Sequence, residues 1–378
     1  MIRIMRMAIV ISILMLIPGA AYASEPEKIT IQEAIELALK NSSDLRQAEY
    51  DVEAAEITRD EVWDAYNVVL RQTYIPGTDL HLSIPSDSEL EKSVYATNLQ
   101  WLIKRKNLEM KIDTLVTSVY QKYYAVLQAA KKVDKNRILV EQDKQQLLIA
   151  QARLEVGMET PFNVSQLRAK LEASEASLET ANNELINAYC DLNELLGLPL
   201  NSRPVLVDTA TYEALDIDNP EEMINSIADN SPLVWIAQEN VRFAEQTRGM
   251  NQFSSYELDK AELNKAKANL DLTKEQMRQG TRAIYYNIKN LEELYKGAYN
   301  SLQVSREALR LARIKYDLGM ATFAEVTAAE ANYAEAEYNL FALICQHSLM
   351  KIAFHKPWTA GVVTGGQTGI DVSSANEE

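Results

Sequence analysis

The chain has 378 residues, with 38 Lys and Arg against 54 Asp and Glu, a net charge of −16, and only 12 Gly, 10 Pro and 2 Cys. So acidic a balance excludes nucleic acid as a partner, because phosphate binding needs a basic surface. Scarce Gly and Pro, clustered at a few breaks, point to long helices.

The first residues have the pattern of an export leader. Arg3 and Arg6 precede the apolar core Ala8–Ile17, and Ala21-Tyr-Ala23 is a small-x-small cleavage site. Residues 1–23 are therefore expected to be a signal peptide, and the mature chain to work in the cell envelope. No later stretch is apolar enough for a second membrane helix.

Thr30-x-x-Glu33 reads as a capping box opening a helix over Ile31–Ala65. The next stretch, about 66–92, holds Pro76-Gly77, Pro85 and His81, and is the one place where a short β-hairpin fits, as Val68–Ile75 and Asp79–Ile84. From Ser93 to Val156 nothing interrupts the helical pattern. A single helix of that length would be about 95 Å long. Further helices follow over Pro161–Leu196, ended by Gly197-Leu-Pro199, then Pro220–Arg248, a second long stretch over Ser254–Leu318, and Phe323–Phe354. Residues 201–219 form a linker, and 356–378 lack periodicity and are expected to be a disordered tail.

The chain is written twice. Arg153–Val164 recurs as Lys315–Val326, 162 positions later, with Gly157-Met-x-Thr160 matching Gly319-Met-x-Thr322. Upstream, Ala38–Leu45 recurs as Ile227–Val234 at an offset of 189. The first copy, 24–200, therefore holds 27 residues that the second, 220–355, lacks, and 66–92 is where they fit. Ile288, Leu291, Tyr295, Ala298, Leu302, Ser305, Leu309, Ala312 and Tyr316 step 3-4-3-4. The matching positions in the first copy are Val126, Ala129, Val133, Asn136, Val140, Asp143, Leu147, Ala150 and Leu154. This is a coiled-coil seam diluted by small and polar residues. The fold class is all-α: long antiparallel hairpins from a tandem duplication, with at most one short β-hairpin. At each repeated turn a Gly suits the left-handed residue that ends a helix, and a Thr suits the N-cap of the next. Two tight hairpin tips result, expected at the same end of the molecule.

Ile29-Thr-Ile-Gln-Glu-Ala-Ile-Glu-Leu-Ala-Leu-Lys-Asn-Ser, the paired Gly-Met-x-Thr-x-x-x-Val tips and the duplicated hairpins with two very long helices resemble the TolC family of outer-membrane efflux proteins, over about 29–355. The resemblance implies a protomer of an α-barrel: a homotrimer forming a passive duct, docked to a periplasmic adaptor (membrane fusion) protein and an inner-membrane transporter, in efflux or type I secretion. It implies adaptor docking at the tips, here Gly157, Met158, Thr160, Gly319, Met320 and Thr322. It places a pore constriction nearby, where Glu325, Asn163 and Gln166 stand. Glu325 is equally placed to be a capping-box partner of Thr322, and Ala328 stands where the family has a second acid. The sequence departs from the family where the outer-membrane β-barrel should be: Gly249–Ser255 alone separates two helical patterns, and a membrane strand needs about 9–11 residues. A barrel-less extracytoplasmic scaffold that binds an adaptor without conducting is the alternative reading.

No P-loop, dinucleotide fingerprint, nucleophile elbow or zinc-protease motif occurs, and His81, His347 and His355 lack ligand spacing, so no catalytic, cofactor or metal site is expected. Cys190 and Cys345 read as two buried thiols in helices, with a bridge left open.

Overall fold

The computed structural model describes residues 28–73, 87–250 and 256–363. The expected leader, the segment Asp79–Ile84 and the tail beyond Val363 lie outside them. The order of elements is β1 (Lys28–Ile29), α1 (Ile31–Asn41), α2 (Ser43–Thr73), α3 (Asp87–Glu155), α4 (Pro161–Leu196), β2 (Val205–Leu206), α5 (Pro220–Asp229), α6 (Pro232–Gln246), α7 (Tyr256–Asp317), α8 (Phe323–His355), a single 3-10 turn (Pro357–Thr359) and α9 (Ala360–Val363).

The two long helices form as expected. α3 has 69 residues and α7 has 62, about 104 and 93 Å at 1.5 Å per residue. Every shorter helix packs against one of them. α2 and α4 lie on α3, α6 and α8 lie on α7, and α3 also packs along α8 and α6. Towards the tips the helices therefore run side by side as α4–α3–α8–α7. The seam residues supply the contact faces: Val126, Val133, Leu147 and Ala150 on α3, and Ile288, Leu291, Leu302 and Leu309 on α7, are all buried. Polar seam residues are partnered across the hairpin. Asn136 Nδ2 donates to Ser177 O at 3.0 Å, and buried Asp143 is 2.7 Å from Lys170 Nζ. Such groups hold one register, because a slip would strand them unpaired.

The largest core lies at the waist, where α1, α3, α4 and α8 meet. Ile29, Ile35, Ala38, Val119, Tyr123, Val126, Leu192, Leu196 and Cys345 pack together there. The second copy repeats it with Leu215, Ile224, Ile284, Ile288, Leu291, Met350 and Phe354. Tyr123 ties the first core to the strands: its hydroxyl donates to Ile29 O and accepts from Asp208 N.

Four expectations are corrected. The helix expected over Ile31–Ala65 breaks at Ser42, which is extended while its Oγ caps Leu45 N at 3.2 Å. The same device, Ser231 Oγ capping Val234 N at 3.2 Å, splits the helix expected over Pro220–Arg248. Asn-Ser favours a cap over helix continuation because the hydroxyl satisfies an amide that a new first turn leaves free. The strand expected over Val68–Ile75 is helical as far as Thr73, since nothing before Pro76 stops an already formed helix from propagating. In its place, among the described residues, the linker supplies a two-residue strand, β2, which pairs in parallel with β1. The tail expected to be disordered from Lys356 is packed as far as Val363. Lys356 Nζ and Trp358 Nε1 both donate to Asp113 of α3, and Thr359 and Ala360 are buried. One tryptophan and one ion pair fix it, and neither leaves a periodic trace in sequence. Both cysteines are free, but only Cys345 is buried as expected, its thiol pushed up to about 11 by that burial; Cys190 is half-buried.

Gly197 ends α4 with φ 71°. A Cβ there would lie 2.8 Å from Asn41 Cβ and Nδ2, and that amide is held by donating to Leu196 O at 2.7 Å. Gly197→Ala should therefore combine left-handed strain of about 1–2 kcal/mol with a clash that cannot relax cheaply. Gly157→Ala and Gly319→Ala meet open space and carry the strain alone. Thermal unfolding followed by helical circular dichroism should rank Gly197→Ala lowest; equal melting temperatures for the three would refute the argument.

Candidate docking site at the hairpin tips

Each tip is a helix ending and another beginning within a few residues. In the first, Gly157 has φ 72°; its N–H donates to Leu154 O at 3.0 Å and Met158 N–H donates to Arg153 O at 2.8 Å. In the second, Gly319 has φ 68°, Gly319 N–H donates to Tyr316 O at 2.9 Å and Met320 N–H to Lys315 O at 2.7 Å. These are paired Schellman closures, in which a left-handed residue lets the chain turn back and satisfy the last carbonyls of the helix.

The next helices start on the expected threonines. Thr160 Oγ1 accepts from Asn163 N at 3.2 Å, with Pro161 at the first helical position. Thr322 Oγ1 accepts from Glu325 N at 3.3 Å, and Glu325 Oε1 in return accepts from Thr322 N at 3.4 Å and Oγ1 at 3.1 Å. Glu325 is thus a full capping-box partner, exposed at the start of α8. Asn163 cannot close the same loop; there Thr160 N donates to Glu159 Oε1 at 3.0 Å instead. Thr322→Ala should cost about 1 kcal/mol and speed amide exchange in Phe323–Val326 more than Thr160→Ala does in Pro161–Val164, since it removes a reciprocal pair. Exchange mass spectrometry of the two variants checks this ranking.

Both tips sit at one end of the body. α8 runs antiparallel to α3: Lys131 pairs with Glu337 at 3.2 Å, Lys135 with Glu335 at 2.9 Å, and Asp113 with Lys356. The start of α8 therefore lies beside the end of α3. Met158 and Met320 are 78% and 74% exposed. Around them stand apolar side chains the sequence reading did not select: Val156 and Phe162 at the first tip, Leu318 and Phe323 at the second, all exposed. A signal was present, since Val156 and Leu318 occupy matching positions just before each Gly. Large apolar groups left in solvent at the end of a rod mark a contact surface, and methionine suits one that must adapt to its partner. Of the candidate constriction residues, Gln166 is exposed and Asn163 half-buried. Among the described residues no group of His, Cys, Asp and Glu side chains could hold a metal, and no helix is long and apolar enough to cross a membrane.

Stacked helical hairpins, two unbroken long helices and a packed waist make up the fold. Residues 75–198 match the family described as Outer membrane efflux protein. The fold is shared with the outer membrane protein VceC of Vibrio cholerae (TM-score 0.63, 14% identity, covering 88% of this chain and 96% of that one). It is shared also with the CmeC outer membrane channel of Campylobacter jejuni (0.57, 14%, 91% and 87%) and the open state of the MtrE outer membrane channel of Neisseria gonorrhoeae (0.55, 14%, 90% and 90%). No curated relative matches in sequence. The TolC-family resemblance read from the sequence is upheld by the family match and by these folds.

Proposed function

We propose that three copies of this chain form a passive export duct of the cell envelope, a TolC-like outer-membrane factor of an efflux or type I secretion system. Its tips dock a periplasmic adaptor that links it to an inner-membrane transporter.

The observation that carries this reading is an unpaired helix face. α3 packs on α4 with one face and on α8 with another. α7, its repeat partner, packs on α8. The face of α3 that receives α8 carries Lys131 and Lys135, which correspond to Glu293 and Gly297 of α7. On that side of α7, Leu294, Val304 and Leu311 are exposed, the last two at heptad spacing. The internal repeat supplies the missing partner: what α8 is to α3, α4 of a neighbouring copy is to α7. Such a head-to-tail contact closes into a ring, and the family resemblance sets the ring at three. Glu325, Asn163 and Gln166 would then stand near the narrow end, where carboxylates favour cations.

Light scattering of the detergent-solubilised full chain tests the ring, and a photocrosslinker at Met158 or Met320 tests the docking. A monomeric mass, or capture of no envelope protein, would count against each.

A specific observation also supports the barrel-less scaffold. Gly249, φ 81°, already turns back, its N–H donating to Asp259 Oδ2 at 2.8 Å. Only 251–255 then remain before α7, too few for a membrane hairpin. Single-channel recording in planar bilayers separates the two readings: a conducting trimer excludes the scaffold.

A further inference from the structure

Between β2 and α5 the chain crosses the waist as a strap, Thr211–Ile217, lying over α7 and α8. Leu215 anchors it in the second core, with Ile217 packed beside it, and the remaining anchors are polar. Leu215 N donates to Glu292 Oε1 at 2.7 Å, and Lys289 Nζ donates to Leu215 O at 2.6 Å and to Glu292 Oε2 at 2.9 Å. Lys351 Nζ donates to Glu213 O and Oε2, each at 3.0 Å, and Ser348 Oγ donates to Thr211 O at 3.4 Å. The Tyr212 ring is stacked on Tyr295 of α7, centroids 3.6 Å apart, and is tilted at 44° to the His347 ring, centroids 5.0 Å apart.

His347 is the anomaly. It is 1% exposed, and neither ring nitrogen has a hydrogen-bond partner. Its Nε2 stands 3.6 Å from Glu292 Oε1, the oxygen that already holds the strap through Leu215. A buried polar ring without partners is costly, so its place on this carboxylate calls for an explanation beyond packing.

We propose that His347 is an acid-operated latch: neutral, it stays buried under the closed strap, and protonated, it moves out to water, which breaks the Leu215 N–H to Glu292 Oε1 bond and frees the strap from α7 and α8. The proton comes from solvent to Nε2, and no bond other than hydrogen bonds is made or broken. The charged and titratable groups facing the ring are Glu292 and Lys289 of α7, Lys351 of α8 and Tyr212 of the strap; Tyr295 and Glu213 stand behind Tyr212 and Lys351. Burial depresses His347 most; Glu292 opposes this, and the Lys351 and Lys289 charges add to it. Burial pushes the Glu292 carboxyl up, but hydrogen bonds from Lys289 and Leu215 outweigh it, so Glu292 stays ionised. The sign follows. The closed strap favours the neutral ring, whereas a freed strap returns His347 to water and its ordinary value of 6.5. The open form takes up more protons, and the closed form loses stability as pH falls below 6.5. His355, a little further along α8, is depressed by burial and by Lys351, and must be separated from His347 by experiment.

Hydrogen exchange of the strap peptide in the full chain, corrected for intrinsic chemistry, tests the latch. One site freed to titrate near 6.5 should raise strap opening between pH 7.5 and 5.5, by at most about tenfold. His347→Gln should abolish the rise, and His355→Gln should retain it. A flat response in the unaltered chain, or the same rise in His347→Gln, overturns the proposal. Should His347→Gln not fold, 13C-histidine NMR of the unaltered chain decides. A His347 midpoint below 6.5 that tracks strap opening supports the latch, and a midpoint at or above 6.5 overturns it.

Discussion

Replacing Met158 and Met320 together by Asp should weaken adaptor binding at least 100-fold without lowering the melting temperature. Both side chains are more than 70% exposed and the turns beneath them are closed by backbone hydrogen bonds, not by methionine. The fold therefore does not need them. Binding would bury them, and a fully buried methionine contributes about 1.5–3 kcal/mol. Two per chain come to several kcal/mol, and each 1.4 kcal/mol is tenfold in affinity. A charge at each site adds the cost of desolvating a carboxylate without a partner. The measurement is titration of the adaptor captured by crosslinking at these positions. Affinity unchanged within threefold would place the docking surface elsewhere on the body.

The second large effect is on assembly. Val304 and Leu311 lie on the α7 face that has no helix against it, 71% and 49% exposed. Val304→Glu with Leu311→Glu should convert the proposed trimer to monomers with unchanged helix content. The two residues together would bury about 3–6 kcal/mol of apolar contact per interface, and the paired charges would be buried against α4 of the neighbour. The equivalent pair on the seam, Leu302→Glu with Leu309→Glu, should instead unfold the α7–α8 hairpin, because those residues are already buried within the chain. Sedimentation velocity and circular dichroism distinguish the outcomes. A trimer surviving in the Val304–Leu311 variant would assign that face to something other than a second copy.

What could be read from the sequence was local or periodic. The tip glycines, the capping threonines, Pro161, Gly197 and the 3-4 seam depend on neighbours within one or two turns, and the structure places them as expected except Tyr316, the last seam residue, which is exposed beside the tip. The duplication carried those readings from one hairpin to the other. The waist was illegible for a different reason. Glu292 meets Leu215 across 77 residues, and Lys351 meets Glu213 across 138, contacts with no spacing to betray them. The breaks at Ser42 and Ser231 were within reach. Both are Asn-Ser pairs at the repeat offset of 189, and a serine able to cap should have outweighed an unbroken apolar pattern. Phe162 and Phe323 escaped notice because they follow different residues of the repeated motif, so the comparison of copies did not align them.

The unequal continuity of the helices has a mechanical meaning. α3 and α7 pass through the waist without interruption, whereas the columns beside them are cut: α2 is separate from α4, and α6 from α8. A torque applied at either tip enters a shaft whose every turn is hydrogen-bonded to the next, and it is delivered some 90–100 Å away. The interrupted columns cannot carry torsion across their gaps. They can only slide against the shaft, and friction between them falls on the strands, the strap and the Asp113 clamp. Stiffness therefore runs along two helices per chain and compliance is confined to a single belt, so that rotation at one end can be geared to the other while the wall between keeps its shape.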